Sequence, residues 1–349
     1  MTTKTAKDTH EPTGLARVES TKNALATQAE RLGEERATAA AVAVAARSKA
    51  TIRAYDCAWR QWATWCEELG VSACPPDPKD VCAYLTSLAT EGLSYSTIEL
   101  ALKALKVTLR GHNVPGWEPP RGVPPEVRMQ MAALARIVGK AQKGKDPVRL
   151  EDLRRMMLKT GGADNRGLRD RALLLVHFWG AFRRSEVVFL DFGDVSWSAE
   201  GVLLTLRRSK TDQTGIGRTI AIHFQDDDRV CACTALRKWI AAVGSWGSND
   251  PLFRRVDRFD NVLPARLSAQ WPAMLVKKYA ERAGLDPERF AGHSMRAGFV
   301  TAAAMQHKSL TAIMRQTGHH DVRMVQRYIR VATPFEDNPT EGMARLKSK

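Results

Sequence analysis

The segment from residue 289 to residue 330 carries side chains that could together bind an anion and move a proton. His293-Ser-Met-Arg296 opens a predicted helix with Ser294 as its expected N-cap, and His293 lies just before that helix. The imidazole of His293, which titrates near neutrality, and the permanently charged guanidinium of Arg296 can therefore point into one site. The segment contains seven Lys or Arg residues and one Asp, which makes the surroundings of this site strongly basic.

A tyrosine lies further along, on a second predicted helix. Gly318 predicts the end of one helix, and the next helix is expected to begin at about Asp321. The expected buried stripe of this helix consists of Val322, Val325 and Ile329. Tyr328 falls at the edge of the stripe, so its hydroxyl could reach out of the core into a cleft.

Neither feature is specific when it is taken alone. In a basic chain with 8 histidines, a His-x-x-Arg string is expected about once by chance, and His320 with Arg323 forms a second one. A single tyrosine on an amphipathic helix is more often a core residue than a nucleophile. Order and spacing along the whole chain must therefore decide whether these residues form a site.

The elements that would position these residues divide the chain into four predicted regions. Residues 1–47 contain no aromatic residue and are expected to form a mobile arm. Residues 48–139 predict a compact helical domain. Residues 140–147 are polar, basic and contain Gly and Pro, as is typical of an interdomain linker. Residues 148–349 predict a second, mostly helical domain.

Aromatic residues mark the first predicted helix of the domain over residues 48–139. Its shared face contains Tyr55, Trp59, Trp62 and Cys66. The tryptophans could stack on nucleic-acid bases, but at helical spacing a core position is favoured. Three prolines are expected to end this helix: Pro75, Pro76 and Pro78. Further helices are predicted from Asp80, from Thr97 to Leu109, and up to about Gly139.

Two short runs interrupt the helical character of the second domain. Val202-Leu-Leu-Thr-Leu and Arg218-Thr-Ile-Ala-Ile are rich in strand-forming residues, and the stretch between them is rich in turn residues. This pattern predicts a β-hairpin with a long tip. The fold class expected for the chain is therefore mainly α with a small β-hairpin or sheet, which makes the second domain α+β.

Composition narrows the class of partner. The 349 residues carry a net charge of +15, with 44% hydrophobic and 26% charged residues, so most of the chain should fold and a polyanion such as nucleic acid is the favoured partner. A basic surface that only keeps the protein soluble is the alternative. No stretch approaches the roughly 20 apolar residues of a membrane span, and the N-terminus has no secretory pattern, so a cytoplasmic, nucleoid-associated protein is expected.

The cysteines are expected to be reduced and structural, because their spacing matches no zinc motif. They are Cys57, Cys66, Cys74, Cys82, Cys231 and Cys233.

Two further motifs precede the C-terminal segment. Gly180-Ala-Phe-Arg-Arg-Ser-Glu186 lies before the predicted hairpin, and Ser209-Lys-Thr211 lies at its tip. With the His-x-x-Arg motif, Gly318-His319 and a tyrosine nine residues later, this series resembles the tyrosine recombinase, or phage integrase, family. The resemblance places the family's site residues at Arg183, Lys210, His293, Arg296, His319 and Tyr328. This register selects His319 over His320.

The resemblance extends over nearly all of residues 48–349. The tryptophan-bearing helix, the segment that begins at Asp80 and the tail from Asp337 to Leu346 resemble the Cre subgroup. His319 departs from Cre, which has tryptophan there, although histidine is the commoner choice in the family. The resemblance implies a two-domain DNA clamp, with a helical core-binding domain and a catalytic domain that ends in a tail helix.

The resemblance also implies a reaction, in which a tyrosine attacks a DNA phosphodiester and forms a 3′-phosphotyrosyl link. Arg183 and Arg296 suit the non-bridging oxygens, and His319 could donate one more hydrogen bond. His293 is the expected general base for Tyr328, and Lys210 is the expected general acid. Glu186, on the same helical face as Arg183, is expected to orient the arginines, with a plain surface ion pair as the alternative.

A covalent intermediate stores the energy of the broken bond, so no ATP is expected. Basic residues dominate these motifs and no cluster of carboxylates stands out near them, so no metal ion or other cofactor is expected either. The implied partner is double-stranded DNA with a specific, inverted-repeat target, bound by a homotetramer. Three alternatives remain open. They are relaxation of supercoils by a type IB topoisomerase, DNA binding by an inactive protein, and cleavage by a metal-dependent nuclease.

Overall fold

The computed structural model describes residues 31–35, 48–118, 122–140, 144–207, 217–244 and 246–332. The chain divides into two compact units, one that ends at Lys143 and one that begins at Gly144. Three predictions lie outside the described residues. They concern the N-terminal arm, the hairpin tip with Lys210, and the C-terminal tail. Within the arm, only a helical turn at residues 31–35 (α1) is described.

The first unit is helical over its described residues. Its helices are α2 (Lys49–Leu69), α3 (Pro78–Thr90), α4 (Tyr95–Gly111) and α5 (Pro125–Ile137). The hydroxyl of Ser48 accepts from the backbone N–H of Thr51 and so begins α2, and Ser94 caps α4 in the same way. Each cap satisfies a backbone N–H that has no partner inside its helix.

Trp62 is a core residue, as the periodicity of α2 predicts. Its ring is fully buried, stacks on Trp65 and meets Tyr84 edge-on, and its indole N–H donates to the carbonyl of Ala73 over 3.1 Å. The expectation for Pro78 was wrong, because Pro78 begins α3 rather than breaking a helix. A proline is tolerated at the first helical position, where its missing N–H would have had no partner.

The second unit combines helices with two small sheets. Its helices are α6 (Leu150–Met157), α7 (Asn165–Trp179), α8 (Arg184–Val188), α9 (Ala232–Val243), α10 (Trp271–Arg282), α11 (Gly292–Met305), α12 (Leu310–Thr317) and α13 (Val322–Ala332), with 3-10 turns at Phe192–Asp194 and Pro287–Arg289. Its strands are β1 (Val195–Trp197), β2 (Gly201–Leu206), β3 (Arg218–His223), β4 (Arg254–Val256) and β5 (Val262–Arg266). The prediction of a mainly α fold with a small β element is confirmed.

The predicted hairpin is confirmed as β2 and β3, which pair antiparallel with Leu204 opposite Ile220. Its inward face is fully buried on both strands, whereas Thr205 and Thr219 point to solvent. The sequence did not predict β1 or the β4–β5 pair. These strands are three to five residues long and mostly exposed, so they lack the apolar alternation that marks a half-buried strand.

Helix α7 runs through the core of the second unit, with buried residues all around its circumference. Its C-terminus leads directly into the Gly180–Glu186 motif, so a rigid element carries the start of the candidate site. The six cysteines are free thiols. None of the described helices is long and apolar enough to span a bilayer.

Candidate active site

The Gly180–Glu186 motif forms a tight turn between α7 and α8. Ala181 is fully buried with φ of +47°, a left-handed conformation that L-residues adopt rarely. The turn directs Arg183 to the start of α8, where its backbone N–H donates to Oε2 of Glu186 over 2.7 Å and its guanidinium donates to Oε1 over 2.6 Å. Glu186 therefore holds Arg183 at two points. Because Glu186 is buried, this contact is not a surface ion pair.

Arg296 lies at the centre of the candidate site and is 1% exposed. One end of its guanidinium donates to the carbonyl of Ala181, and the other end lies 3.1 Å from Nε2 of His319. A guanidinium has no acceptor atom, so Nε2 of His319 accepts and the proton of this ring lies on Nδ1. Nδ1 then donates to the hydroxyl of Thr317 over 2.8 Å, and this hydroxyl donates to the carbonyl of Ile313 over 2.8 Å.

The hydroxyl of Tyr328 lies 2.9 Å from Nε2 of His293. The ring of Tyr328 is half-buried beside a small cluster that contains Val300, Ile313 and Val325. Within the predicted stripe of α13, Val325 is buried, Val322 is 39% exposed, and the side chain of Ile329 lies outside the described residues. The expectation for Val322 was therefore wrong, since the first turn of α13 faces solvent.

The expected N-cap of α11 was also wrong. Ala291 is the N-cap, and Ser294 lies at the third helical position, where its hydroxyl accepts from the backbone N–H of Ala291 over 2.9 Å. His293 consequently belongs to the first turn of the helix. Ser294 ties the helix start back to the preceding residue and so supports the orientation of His293.

Burial, followed by neighbouring positive charge, lowers the pKa values of this site. Burial, followed by Arg296 and Arg183, lowers the pKa of His319 to about 4. Burial and then the same two arginines lower the pKa of His293. Burial, together with Arg183, lowers the pKa of Arg296 to about 10. At neutral pH both histidines are therefore neutral, and an anion bound between the arginines would relieve their mutual repulsion.

The second His-x-x-Arg string does not join the site. Arg323 pairs with Asp321 over 3.0 Å, and its side chain is 88% exposed. Lys210 lies within residues 208–216, outside the described part of the chain. The structure thus brings together Arg183, Glu186, His293, Arg296, His319 and Tyr328.

The site also contains Thr317 and Arg218, which the sequence motifs did not indicate as site residues. Thr317 precedes the Gly318-His319 motif, and its contact with the histidine ring could have been suspected from that adjacency. Arg218 is remote in sequence, and its guanidinium donates to backbone carbonyls at the end of α12. No local pattern marks such a contact.

Because His177 is buried, we expect the second unit to be less stable at acid pH. The ring of His177 is fully buried in α7, and this burial lowers its pKa to about 3. In the unfolded chain a histidine titrates at about 6.5, so the unfolded state binds the extra proton as the pH falls. The free energy of unfolding should decrease below about pH 6.5, by up to ~1.4 kcal/mol per pH unit.

Urea unfolding between about pH 7 and about pH 4.5 measures this dependence. In His177→Leu the dependence should become shallower, because that side chain takes up no proton in either state. An equal slope in the two proteins would contradict the assignment to His177.

The chain is similar in sequence to known proteins. Residues 147–334 match the phage integrase family. The chain is 36% identical over 301 residues to the integrase/recombinase xerD homolog of Selenomonas ruminantium, which covers 85% of this chain and 86% of that protein. It is 31% identical over 167 residues to tyrosine recombinase XerD of Xanthomonas axonopodis pv. citri, where the match covers 48% of this chain and 52% of that protein.

Among solved structures, the fold is similar to that of the Tn1549 transposon integrase in complex with transposon right end DNA. The TM-score is 0.60 at 16% sequence identity, and the similarity covers 81% of this chain and 89% of that one. At 16% sequence identity this similarity shows a shared fold and nothing more.

Proposed function

The chain belongs to the phage integrase family and is a tyrosine recombinase, and from this premise we propose that it cuts and rejoins specific DNA sites through a covalent bond to Tyr328. The observation that carries the proposal is the 2.9 Å hydrogen bond between the hydroxyl of Tyr328 and Nε2 of His293, beside two arginines. A nucleophile within hydrogen-bond reach of a base, next to an anion-binding pair, suits phosphoryl transfer.

In the proposed cleavage step, the phenolic oxygen of Tyr328 attacks the scissile phosphorus. A free tyrosine has a pKa of about 10, so the proton must be removed as the bond forms. His293 takes that proton at Nε2, because its lowered pKa keeps the ring neutral at neutral pH and a neutral imidazole has one nitrogen that can accept. The new bond joins Tyr328 to the 3′ phosphate, and the bond from phosphorus to the 5′ oxygen breaks.

The arginines stabilise the charge that develops on the non-bridging oxygens. Arg183 and Arg296 present forked donors to these oxygens, and Glu186 keeps the fork of Arg183 in a fixed orientation. Once the phosphate has replaced Nε2 of His319 as the partner of Arg296, the ring proton moves from Nδ1 to Nε2 and is donated to the phosphate, and Nδ1 then accepts from the hydroxyl of Thr317. Such donors need no reorganisation when the charge develops, which is the main source of this kind of catalysis.

Lys210 is the proposed general acid. The leaving 5′ oxygen needs a proton, and Lys210 follows β2 by four residues on the hairpin whose strands flank the site. The assignment rests on the family resemblance. Rejoining reverses the two proton transfers, so that Lys210 accepts a proton from the 5′ hydroxyl and His293 returns one to the tyrosine.

The subgroup and assembly are further parts of the proposal. The similarity to XerD proteins favours an Xer-type recombinase over the Cre-like subgroup expected from sequence.

Double-stranded DNA is the proposed partner, since the chain carries a net charge of +15 and the Tn1549 integrase with a similar fold was solved on DNA. Exchange of strands between two sites needs four cuts, so a homotetramer on inverted-repeat sites is proposed.

The test is a search for a protein–DNA adduct that resists SDS. The purified protein is mixed with DNA fragments that flank its own gene, with EDTA present, and the labelled DNA is examined for retarded, protease-sensitive species. We expect an adduct in EDTA, with exchanged products when two sites are present. Tight DNA binding without an adduct would instead support an inactive DNA-binding protein, and an adduct with relaxation but no exchange would support a topoisomerase.

A further inference from the structure

Arg218, the first residue of β3, caps the C-terminus of α12 with its side chain. Its guanidinium donates to the carbonyls of Gln316 over 2.8 Å, Arg315 over 3.2 Å and Thr317 over 3.3 Å. The last carbonyls of a helix have no amide partner within that helix, and a cation is favoured there by the helix dipole. Arg218 thus supplies from the neighbouring sheet what the end of α12 lacks.

The turn after α12 carries His319 into the site. Gly318 adopts φ of +66°, a left-handed conformation that glycine tolerates, and its N–H donates to the carbonyl of Met314 over 2.7 Å. A Cβ at this position would lie 2.9 Å from Cζ of Arg218, so the arginine packs directly on the turn. The position of His319 is therefore set by the end of α12, and Arg218 holds that end.

Thr317 holds the ring of His319 from the other side. Its hydroxyl lies 2.8 Å from Nδ1, while Nε2 faces Arg296. Thr317 is itself fully buried, and its hydroxyl also contacts the carbonyl of Ile313. A hydroxyl can both donate and accept, so Thr317 remains a partner of Nδ1 in whichever protonation state His319 adopts when an anion binds.

We propose that Arg218 and Thr317 are positioning residues that fix the place and the ring orientation of His319 for its hydrogen bond to the scissile phosphate. The inference rests on the proposed function, because it assigns a purpose to the contacts of one residue in that reaction. Arg218 acts on the backbone that carries His319, and Thr317 acts on the ring. A misplacement of a catalytic group by about 1 Å can lower a rate on the order of 100-fold.

A double-mutant cycle separates positioning from general stability. The single-turnover rate of adduct formation is measured for the wild type, Arg218→Gln, His319→Ala and the double variant. His319→Ala removes one preorganised donor and should slow adduct formation on the order of 100-fold. Arg218→Gln should slow adduct formation roughly tenfold. In the His319→Ala background, Arg218→Gln should change the rate by less than about twofold, because the residue through which it acts is absent.

Two substitutions at Thr317 test the ring contact. Thr317→Ser keeps the hydroxyl, so its rate should stay within about twofold of the wild-type rate. Thr317→Val keeps the shape of the side chain but removes the hydroxyl, so its rate should fall roughly tenfold. Thr317→Val should also have little effect when His319 is already alanine. The matched control is Arg171→Gln, which removes another guanidinium that donates to carbonyls, those of Met157 and Arg229, away from the site.

The outcomes are distinct. If Arg218→Gln slows the reaction equally in both backgrounds, or if Arg171→Gln slows it as much, the effect is one of stability and the positioning role is overturned. Equal rates for Thr317→Val and Thr317→Ser would overturn the ring contact. If the wild type forms no adduct at all, the proposed function fails before the positioning roles are reached.

Discussion

Tyr328→Phe should abolish the SDS-resistant DNA adduct while it leaves DNA affinity within about threefold of the wild type. The substitution removes one oxygen, which is the atom that would bond to phosphorus. The ring, half-buried beside Val325 and its neighbours, keeps its packing, so α13 should remain folded. Affinity depends mainly on phosphate contacts with lysine and arginine, none of which is changed.

The adduct and the affinity are measured on the same labelled DNA, by SDS electrophoresis and by a binding titration at fixed salt. The matched control is Tyr95→Phe, which removes a hydroxyl from a tyrosine of the first unit that contacts Lys140 through its ring. This variant should form the adduct at the wild-type rate. An adduct that persists in Tyr328→Phe would place the nucleophile at another residue.

Arg183→Lys should lower the single-turnover rate of adduct formation by a factor on the order of 100 to 1,000. The positive charge remains, but an ammonium is a point charge and cannot present two parallel N–H groups to a phosphate. The shorter lysine also loses the 2.6 Å contact with Glu186 that orients the guanidinium. The loss of this partner leaves the buried carboxylate of Glu186 less well compensated, so the free energy of unfolding should also decrease and is measured beside the rate.

Glu186→Gln provides a graded comparison. The amide of glutamine has one acceptor oxygen where the carboxylate has two, and it is uncharged, so it holds the guanidinium of Arg183 less firmly. Arg183 keeps its forked donors in a less fixed orientation, and the rate should fall roughly tenfold. Arg166→Lys, at the other end of α7, is the control for the loss of a guanidinium in the same unit and should react like the wild type. A wild-type rate in Arg183→Lys would mean that charge alone, without forked geometry, suffices.

Local signals predicted the helices of the first unit, the hairpin of β2 and β3, and the last helices of the second unit. The buried face of α2 followed from the spacing of its aromatic residues, and the hairpin of β2 and β3 followed from alternating apolar residues with a turn-rich stretch between them. Gly318 predicted the end of α12 because a left-handed residue is needed there. The prediction for Pro78 was wrong, since a proline both ends helices and begins them, and here the carboxylate of Asp77 accepts from the backbone N–H of Lys79 and so begins a helix.

The candidate site was predicted by residue type and order, and its geometry was not. The order and spacing of the motifs, which resemble those of the tyrosine recombinase family, indicated which arginines, histidines and tyrosine belong together. The sequence placed Ser294 at the wrong position of α11, and it contained no sign that Val322 would face solvent. Both depend on where a helix begins and on which of its faces packs against the unit, which the tertiary structure decides.

The sequence by itself determined the family, the mainly helical fold with a hairpin, and the identity of the candidate site residues. These follow from local periodicity, turn chemistry and motif order, all of which are readable along the chain. Tertiary structure alone decided that the carbonyl of Ala181 faces Arg296, that Thr317 holds the ring of His319, and that Arg218 caps α12. Two of these contacts join residues about a hundred positions apart, between side chains and backbone carbonyls, which every residue possesses and no sequence pattern marks.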